Sequence, residues 1–167
     1  MTSAPIAQQR LLIDLQDLDS HLARLRHERK HLPVLTRIEA VIERLKANKR
    51  AAIQAEAALD EAKKQATRSE DEVGQVARRA EVLRERLHSG TSAARDLSAI
   101  QGEIDQLGQR QSALEEAQIV AMEALDSARQ EAERLSQEEA EIRAAGRELT
   151  AKRDAEFARL DEEIESL

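Results

Sequence analysis

The sequence has almost no aromatic side chains: Phe157 is the only one among 167 residues, and Trp and Tyr are absent. Aromatic residues contribute much of the apolar area in globular cores. The apolar residues here are mainly Ala, Leu, Ile and Val, and the chain has only five glycines and two prolines. This composition is typical of long helices rather than of a globule.

Cysteine is also absent, which excludes disulfides and thiolate metal sites within these residues. No apolar run approaches the roughly 18 residues that a membrane span needs. Asp14, Asp17 and Asp19 interrupt the Leu-rich N-terminal stretch, so that it lacks the pattern of a signal peptide. We therefore expect a cytoplasmic protein that does not bind membranes.

Leucines at alternating spacings of four and three predict a first helix over residues 4–31. Ser3 is the expected N-cap, and Pro5 is tolerated in the first turn. Pro33 is expected to end this helix, because a proline disfavours the helical conformation of the residue before it. The predicted seam consists of Leu11, Leu15, Leu18, Leu22, Leu25 and Leu32, with Arg29 filling the one break.

A second apolar stripe predicts a helix over residues 34–87. A local run of spacings of three near Ala52 and Ala55 predicts a stammer, at which the supercoil would be overwound. The predicted seam consists of Leu35, Ile38, Ile42, Leu45, Ala52, Ala55, Leu59, Ala62, Ala66, Val73, Val76, Ala80, Leu83 and Leu87.

Residues 88–92 form the one strong internal break in the heptad pattern. Gly90 is expected to adopt the left-handed conformation that ends a helix, and Thr91 or Ser92 is expected to cap the next one. A single heptad frame then continues over residues 93–167, which predicts a third helix.

Short connections make consecutive helices antiparallel neighbours. The hairpin is expected to place Leu83 near Ile100. The first helix is expected to fold back about Pro33, which would place Leu25 near Ala40. The predicted fold is all-α: a long antiparallel coiled-coil hairpin with a short N-terminal third helix packed at its base, in a single domain over the whole chain.

The net charge of −7 is unevenly distributed along the chain. Residues 1–50 carry a net charge of +4, residues 51–97 carry −1, and residues 98–167 carry −10. A basic N-terminal arm and an acidic C-terminal arm suit each other as antiparallel partners.

One short motif matches a metal site. His27 and His31 enclose Glu28 in the H-E-x-x-H pattern of zinc proteases, in which two histidines hold the metal and the glutamate acts on bound water. The motif lies off the leucine seam, and no third ligand follows at a recognisable spacing. We therefore interpret it as a chance match on a solvated face, and we expect neither a metal site nor catalysis in this chain.

Arginines near the tip form a candidate phosphate-binding surface, since the attraction of phosphates to basic side chains is independent of sequence. No aromatic residues are interleaved for base stacking. Solvated helix faces with weak intrahelical ion pairs are the simpler interpretation. The four candidate contacts are Arg78, Arg79, Arg84 and Arg86.

Several segments around the tip carry a family resemblance. They are Ser89-Gly90, then Arg95-Asp96-Leu97-Ser98-Ala99-Ile100-Gln101, Glu103-Ile104, and Arg110-Gln111-Ser112-Ala113-Leu114-Glu115-Glu116. With the N-terminal segment 11–19 and the Leu32-Pro33 break, this chain resembles an actinobacterial member of the bacterial coiled-coil proteins that carry a C-terminal four-cysteine zinc ribbon. The chain departs from that family in having no cysteine. The resemblance thus implies a zinc ribbon beyond residue 167, which is absent here.

The resemblance implies a non-enzymatic protein that binds partners through its tip or its ribbon. Flagellated relatives act as adaptors for an alternative sigma factor and for the flagellar export machinery. The expected function is therefore an adaptor for a protein partner, with Ser89, Gly90, Arg95 and Asp96 as the tip contacts. Nucleic-acid binding through the ribbon and the basic helix faces is the alternative. A homodimer is left open by the sequence.

Overall fold

A computed structural model describes residues 5–90 and 93–167 as three α-helices. Helix α1 spans Ile6–Lys30, α2 spans Pro33–His88 and α3 spans Ala94–Glu165. Neither described range contains a β-strand. The predicted fold class is confirmed: the two long helices α2 and α3 form a coiled-coil hairpin, and the shorter helix α1 packs at its base.

The helix ends follow from local backbone chemistry. His31 caps α1, because its backbone N–H donates to the carbonyl oxygens of His27 and Glu28, at 3.1 Å each. Helix α2 begins at Pro33 itself, one residue earlier than expected. Proline suits this position, because the N–H that it lacks would have no acceptor within the first helical turn. The predicted N-caps Ser3, Thr91 and Ser92 lie outside the described residues.

The buried positions of α2 alternate regularly in steps of three and four, without the predicted stammer. Val41, not Ile42, lies in the seam, and Ile42 is 46% exposed. Asn48 is also buried in the seam, between Leu45 and Ala52. The predictions of Ile42 in the seam and of a stammer are therefore wrong. A polar residue in the seam interrupted the apolar pattern, although the heptad frame itself continues.

The chain divides into two compact units. Unit 1 combines residues 1–49 with residues 138–167, and unit 2 comprises residues 50–137. The core of unit 1 contains residues from all three helices and from the break between α1 and α2. Its buried members are Leu25, Leu32, Val34 and Leu160, and the apolar residues that pack against them are Leu35, Ile38, Leu149, Phe157 and Ile164.

Within unit 1, α1 and α2 follow one another along α3. Leu25 shares the core cluster with Leu160, and the His21 imidazole lies 3.6 Å from the Glu163 carboxylate. Further along the chain, Val41 lies beside Gly146, 3.4 Å from where a Cβ would be. Residue numbers on α3 thus fall as those on α1 and α2 rise, so that both helices run antiparallel to α3.

The predicted fold-back of α1 onto α2, with Leu25 near Ala40, is wrong. Only two residues separate α1 from α2, and Leu32 and Val34 on either side of Pro33 are buried in the same cluster. The seam therefore continues through the break, and the proline starts the next helix without reversing the chain.

Unit 2 contains the hairpin connection and an aliphatic cluster close to it. Leu83, Ile100 and Ile104 are buried together, with Leu87 and Leu107 packed against them. This confirms the expected proximity of Leu83 to Ile100.

Candidate interaction surfaces

Ser89 and Gly90 are the described residues that end α2 at the tip. Gly90 has a φ of +67°, the left-handed conformation that glycine adopts without steric cost. The Ser89 hydroxyl donates to the Arg86 carbonyl oxygen at 2.8 Å, and the Ser89 N–H donates to the Glu85 carbonyl oxygen at 3.0 Å. Ser89 and Gly90, two of the predicted tip residues, therefore form the end of α2, and both are exposed.

The other two predicted tip residues lie in the first turn of α3. Arg95 and Asp96 are both exposed. Asp96 lines a shallow depression with Arg86, Ala99, Ile100 and Glu103, and its carboxylate is favourably placed at the positive end of the helix dipole. All four predicted tip residues are therefore exposed, and one of them, Asp96, lines a depression with charges of both signs.

The four candidate phosphate contacts differ in their surroundings. Arg79 donates to the Glu103 carboxylate of α3 at 3.2 Å, and Arg84 lies 3.6 Å from the Glu81 carboxylate. The Arg78 guanidinium lies over Gly74, and Arg86 lines the tip depression. Carboxylates therefore compensate two of the four arginines, which weakens any attraction of this surface to phosphates.

The H-E-x-x-H residues form the C-terminal end of α1. The His27 and His31 rings stack with centroids 4.1 Å apart, and His31 Nδ1 lies 2.8 Å from the His27 carbonyl oxygen, to which a protonated Nδ1 donates. Glu28 accepts a hydrogen bond from Arg159 of α3 at 3.4 Å. Each member of the motif therefore has a partner within the described helices that explains its position.

The residues present do not fit the zinc that the resemblance implies. The sequence contains no cysteine. In the ranges 5–90 and 93–167, no group of three or more His, Asp or Glu side chains is placed to share a metal ion.

A membrane span is a separate question. Among the residues that the structure describes, no helix is both long and apolar enough to cross a membrane.

Comparison with known proteins gives the family. Residues 15–167 match the CT398-like coiled coil hairpin domain. The chain belongs to this family. Two uncharacterised proteins of Mycobacterium tuberculosis, MT2288 and Rv2229c, are each 36% identical to it over 124 residues, which cover 72% of this chain. The aligned region covers 49% of those relatives, so the chain spans about half their length.

A solved structure of a protein from Mycobacterium smegmatis has a similar fold. The TM-score is 0.79 at 26% sequence identity, and the match covers 99% of this chain and 68% of that one. The match supports the arrangement of helices described above for this CT398-like hairpin domain. It does not assign a function to the chain.

The N-terminal part of α1 exposes a surface of this hairpin domain that sequence reasoning missed. Leu11 and Leu15, which were predicted to lie in the seam, are 67% and 54% exposed. Leu18 and Leu22 are half-buried, and Leu25 is buried. The same heptad stripe is therefore covered at one end and open at the other, so the predicted burial of Leu11 and Leu15 is wrong.

Electrostatics along the helices are mostly local. Arg134 donates to both carboxylate oxygens of Glu131, at 2.8 and 2.9 Å, and this hydrogen bonding lowers the pKa of Glu131 from its ordinary value. Arg143 and Glu139 form a similar pair four residues apart. Such exposed pairs solubilise a helix face and add little to its stability.

Proposed function

We propose that this hairpin domain is a non-enzymatic adaptor, which presents its tip to a protein partner in the cytoplasm. The observation that carries the proposal is the tip itself: Ser89 and Gly90 at the end of α2, and Arg95 and Asp96 in the first turn of α3, are exposed, and the buried Leu83 cluster joins the same two helices close by. A packed support of this kind reduces the conformational entropy that a partner must restrict on binding.

The depression beside the tip supports a protein partner in particular. Its lining combines the Arg86 guanidinium and the Asp96 and Glu103 carboxylates with the apolar atoms of Ala99 and Ile100. A surface that combines both charge signs with some apolar atoms resembles the mixed composition of protein interfaces. A phosphate backbone, by contrast, would be repelled by the two carboxylates.

Site-specific photo-crosslinking in cells of the native source tests the proposal. A photoreactive residue in place of Arg95 is expected to capture a discrete protein, and the same residue in place of the exposed Arg129 of α3 is the matched control. Reversal of the Asp96 charge with Asp96→Arg should abolish the capture. Equal capture at both positions, or none at Arg95, would contradict the proposal.

Nucleic-acid binding is the alternative function, and a salt titration separates the two. Binding of a duplex DNA by the hairpin domain should weaken steeply between low and physiological salt if phosphates are contacted. The double variant Arg78→Gln/Arg86→Gln should then remove the affinity. Under the adaptor proposal, neither the unmodified hairpin domain nor the double variant binds the duplex at physiological salt.

A zinc ribbon beyond residue 167 is a further part of the proposal, and it rests on the resemblance. It would give the adaptor a second binding module. The intact mass and the zinc content of the protein purified from its native source test it. A mass above 18.7 kDa, with about one zinc per chain as in four-cysteine sites, would support the ribbon. A matching mass without zinc would rule it out.

A further inference from the structure

The seam between α2 and α3 is unevenly packed along unit 2. We call residues 62–73 of α2 and residues 114–125 of α3 the middle segment. The structure describes all of these residues, and the two that are buried among them are Ser69 and Ala121. Small and polar side chains occupy most of this part of the seam. Its seam positions are Ala62, Ala66, Ser69 and Val73 on α2, and Leu114, Gln118, Ala121 and Leu125 on α3.

The register of the two helices sets a polar layer across this part of the seam. Leu83 of α2 and Ile104 of α3 share the buried cluster near the tip. On both helices the seam continues from there without interruption. Two heptads before Leu83 lies Ser69 (83 − 14), and two heptads after Ile104 lies Gln118 (104 + 14). Because the helices are antiparallel, Ser69 therefore lies opposite Gln118.

The middle segment is packed less well than the Leu83 cluster. Leu83 is 1% exposed, whereas Leu114 and Leu125 are half-buried. Ser69 and Gln118 contribute polar groups to the seam, and the alanines beside them bury little apolar area. Burial of apolar area is the main force that holds two helices together in water. Separation of α2 from α3 therefore costs less free energy in the middle segment than at the cluster.

A helix that separates from its partner loses most of what stabilises it, because short helical segments are marginal in water on their own. Segments with few buried apolar contacts are the ones that open most readily in folded proteins. We propose that the middle segment opens locally and acts as a hinge within unit 2, while the Leu83 cluster stays closed. The proposal depends only on packing in the seam, so it holds whether or not the tip binds a protein partner.

Amide hydrogen exchange of the full chain, followed by mass spectrometry of its peptides, tests this proposal. Residues 62–73 and 114–125 are expected to exchange about tenfold faster, or more, than residues 76–87 and 100–107, because the middle segment opens without the cluster. Equal exchange rates in the two regions, or faster exchange at the cluster, would overturn the proposal.

Replacement of the polar layer by apolar side chains of similar size should keep the middle segment closed. Ser69→Ala/Gln118→Leu should slow exchange there about tenfold and leave the Leu83 cluster unchanged, because apolar contacts replace polar ones in the seam. Thr67→Ala/Gln109→Leu is the matched control, since both side chains are exposed on the same two helices. Equal slowing by the control variant would assign the effect to helix propensity and contradict a hinge at the polar layer.

Distances between pairs of spin labels give an independent measure of the hinge. The chain has no cysteine, so that labelled cysteines can be introduced without removing a native one. Thr67→Cys/Ile119→Cys spans the middle segment, and Glu81→Cys/Asp105→Cys is the matched pair two heptads closer to the tip, with all four positions exposed. A broad distance distribution is expected for the first pair and a narrow one for the second. Distributions of equal width would overturn the proposal.

Discussion

The cores of the two compact units are held together differently. Unit 1 buries Leu160 among residues of α1, of α2 and of the break between them, and polar contacts cross its helices at Arg29, Glu28 and His21. The cluster of unit 2 around Leu83 involves only α2 and α3, and the chain itself connects them at Gly90. Side-chain contacts thus hold α1 against α3, whereas the chain itself joins the two helices of the hairpin at the tip.

The largest expected effect comes from truncating the most buried leucine of each unit. Leu160→Ala and Leu83→Ala should each cost about 2–5 kcal/mol of unfolding free energy, because each leaves a cavity. We expect the larger cost for Leu160→Ala, because three chain segments surround its side chain and a cavity there collapses less completely. Urea denaturation measures the cost, and amide hydrogen exchange assigns it to a unit.

The exposed Val82 gives the control for this pair. Val82→Ala should change the unfolding free energy by less than about 0.5 kcal/mol, because that side chain is 48% exposed. A cost for Leu83→Ala equal to or greater than that for Leu160→Ala would break the distinction between the two cores.

A smaller effect is expected from Arg29, which attaches α1 to α3. Its Nε donates to Asp161 Oδ1 at 2.8 Å, and its guanidinium lies 4.1 Å from the centroid of the Phe157 ring. Arg29→Ala should cost about 1 kcal/mol, since both contacts are partly exposed to solvent. Faster hydrogen exchange in α1, with unit 2 unchanged, is the expected signature.

Two further variants, one at Arg29 itself and one at its neighbour Lys30, check the Arg29 prediction. Arg29→Lys should recover part of the loss, because the ammonium keeps the attraction to Asp161 without the planar stacking. Lys30→Ala should be nearly neutral, because Lys30 is exposed. If exchange in α1 is the same in Arg29→Ala as in the unmodified chain, the apolar seam alone attaches that helix.

Effects no larger than that of Arg29→Ala, and of opposite sign to each other, are expected from two glycines in unit 2. Gly90→Ala should cost about 1 kcal/mol, because alanine is strained at a φ of +67° even though no atom lies within 4 Å of its Cβ. Gly102→Ala, in the interior of α3 and also without close neighbours, should instead stabilise by about 0.5–1 kcal/mol. Thermal unfolding should show a lower melting temperature for Gly90→Ala and a higher one for Gly102→Ala. A change of melting temperature in the same direction for both variants would contradict the left-handed conformation of Gly90.

The heptad pattern predicted most of the seam, but it could not choose between adjacent apolar residues. Ile38 can be followed by Val41 or by Ile42 with equally regular spacing. The buried Asn48 continues the frame that contains Val41, yet a polar residue in the seam is invisible to a search for apolar periodicity. Contacts with α3 decide the frame, as Val41 beside Gly146 illustrates.

The candidate surfaces also differ in how far the sequence predicted them. The left-handed Gly90 and the exposed tip residues followed from local turn chemistry. The exposure of Leu11 and Leu15 in α1 did not, because these residues carry the same heptad signal as the buried Leu25.

The sequence by itself determined the helices, the tip and the all-α class, because propensity, heptad spacing and the glycine conformation act over a few residues. The tertiary structure decided the direction of α1. A proline after a helix permits either a reversal or a continuation, and the choice depends on burying Leu32 and Val34 together with Leu160. That contact joins residues more than 120 positions apart, which no local pattern encodes.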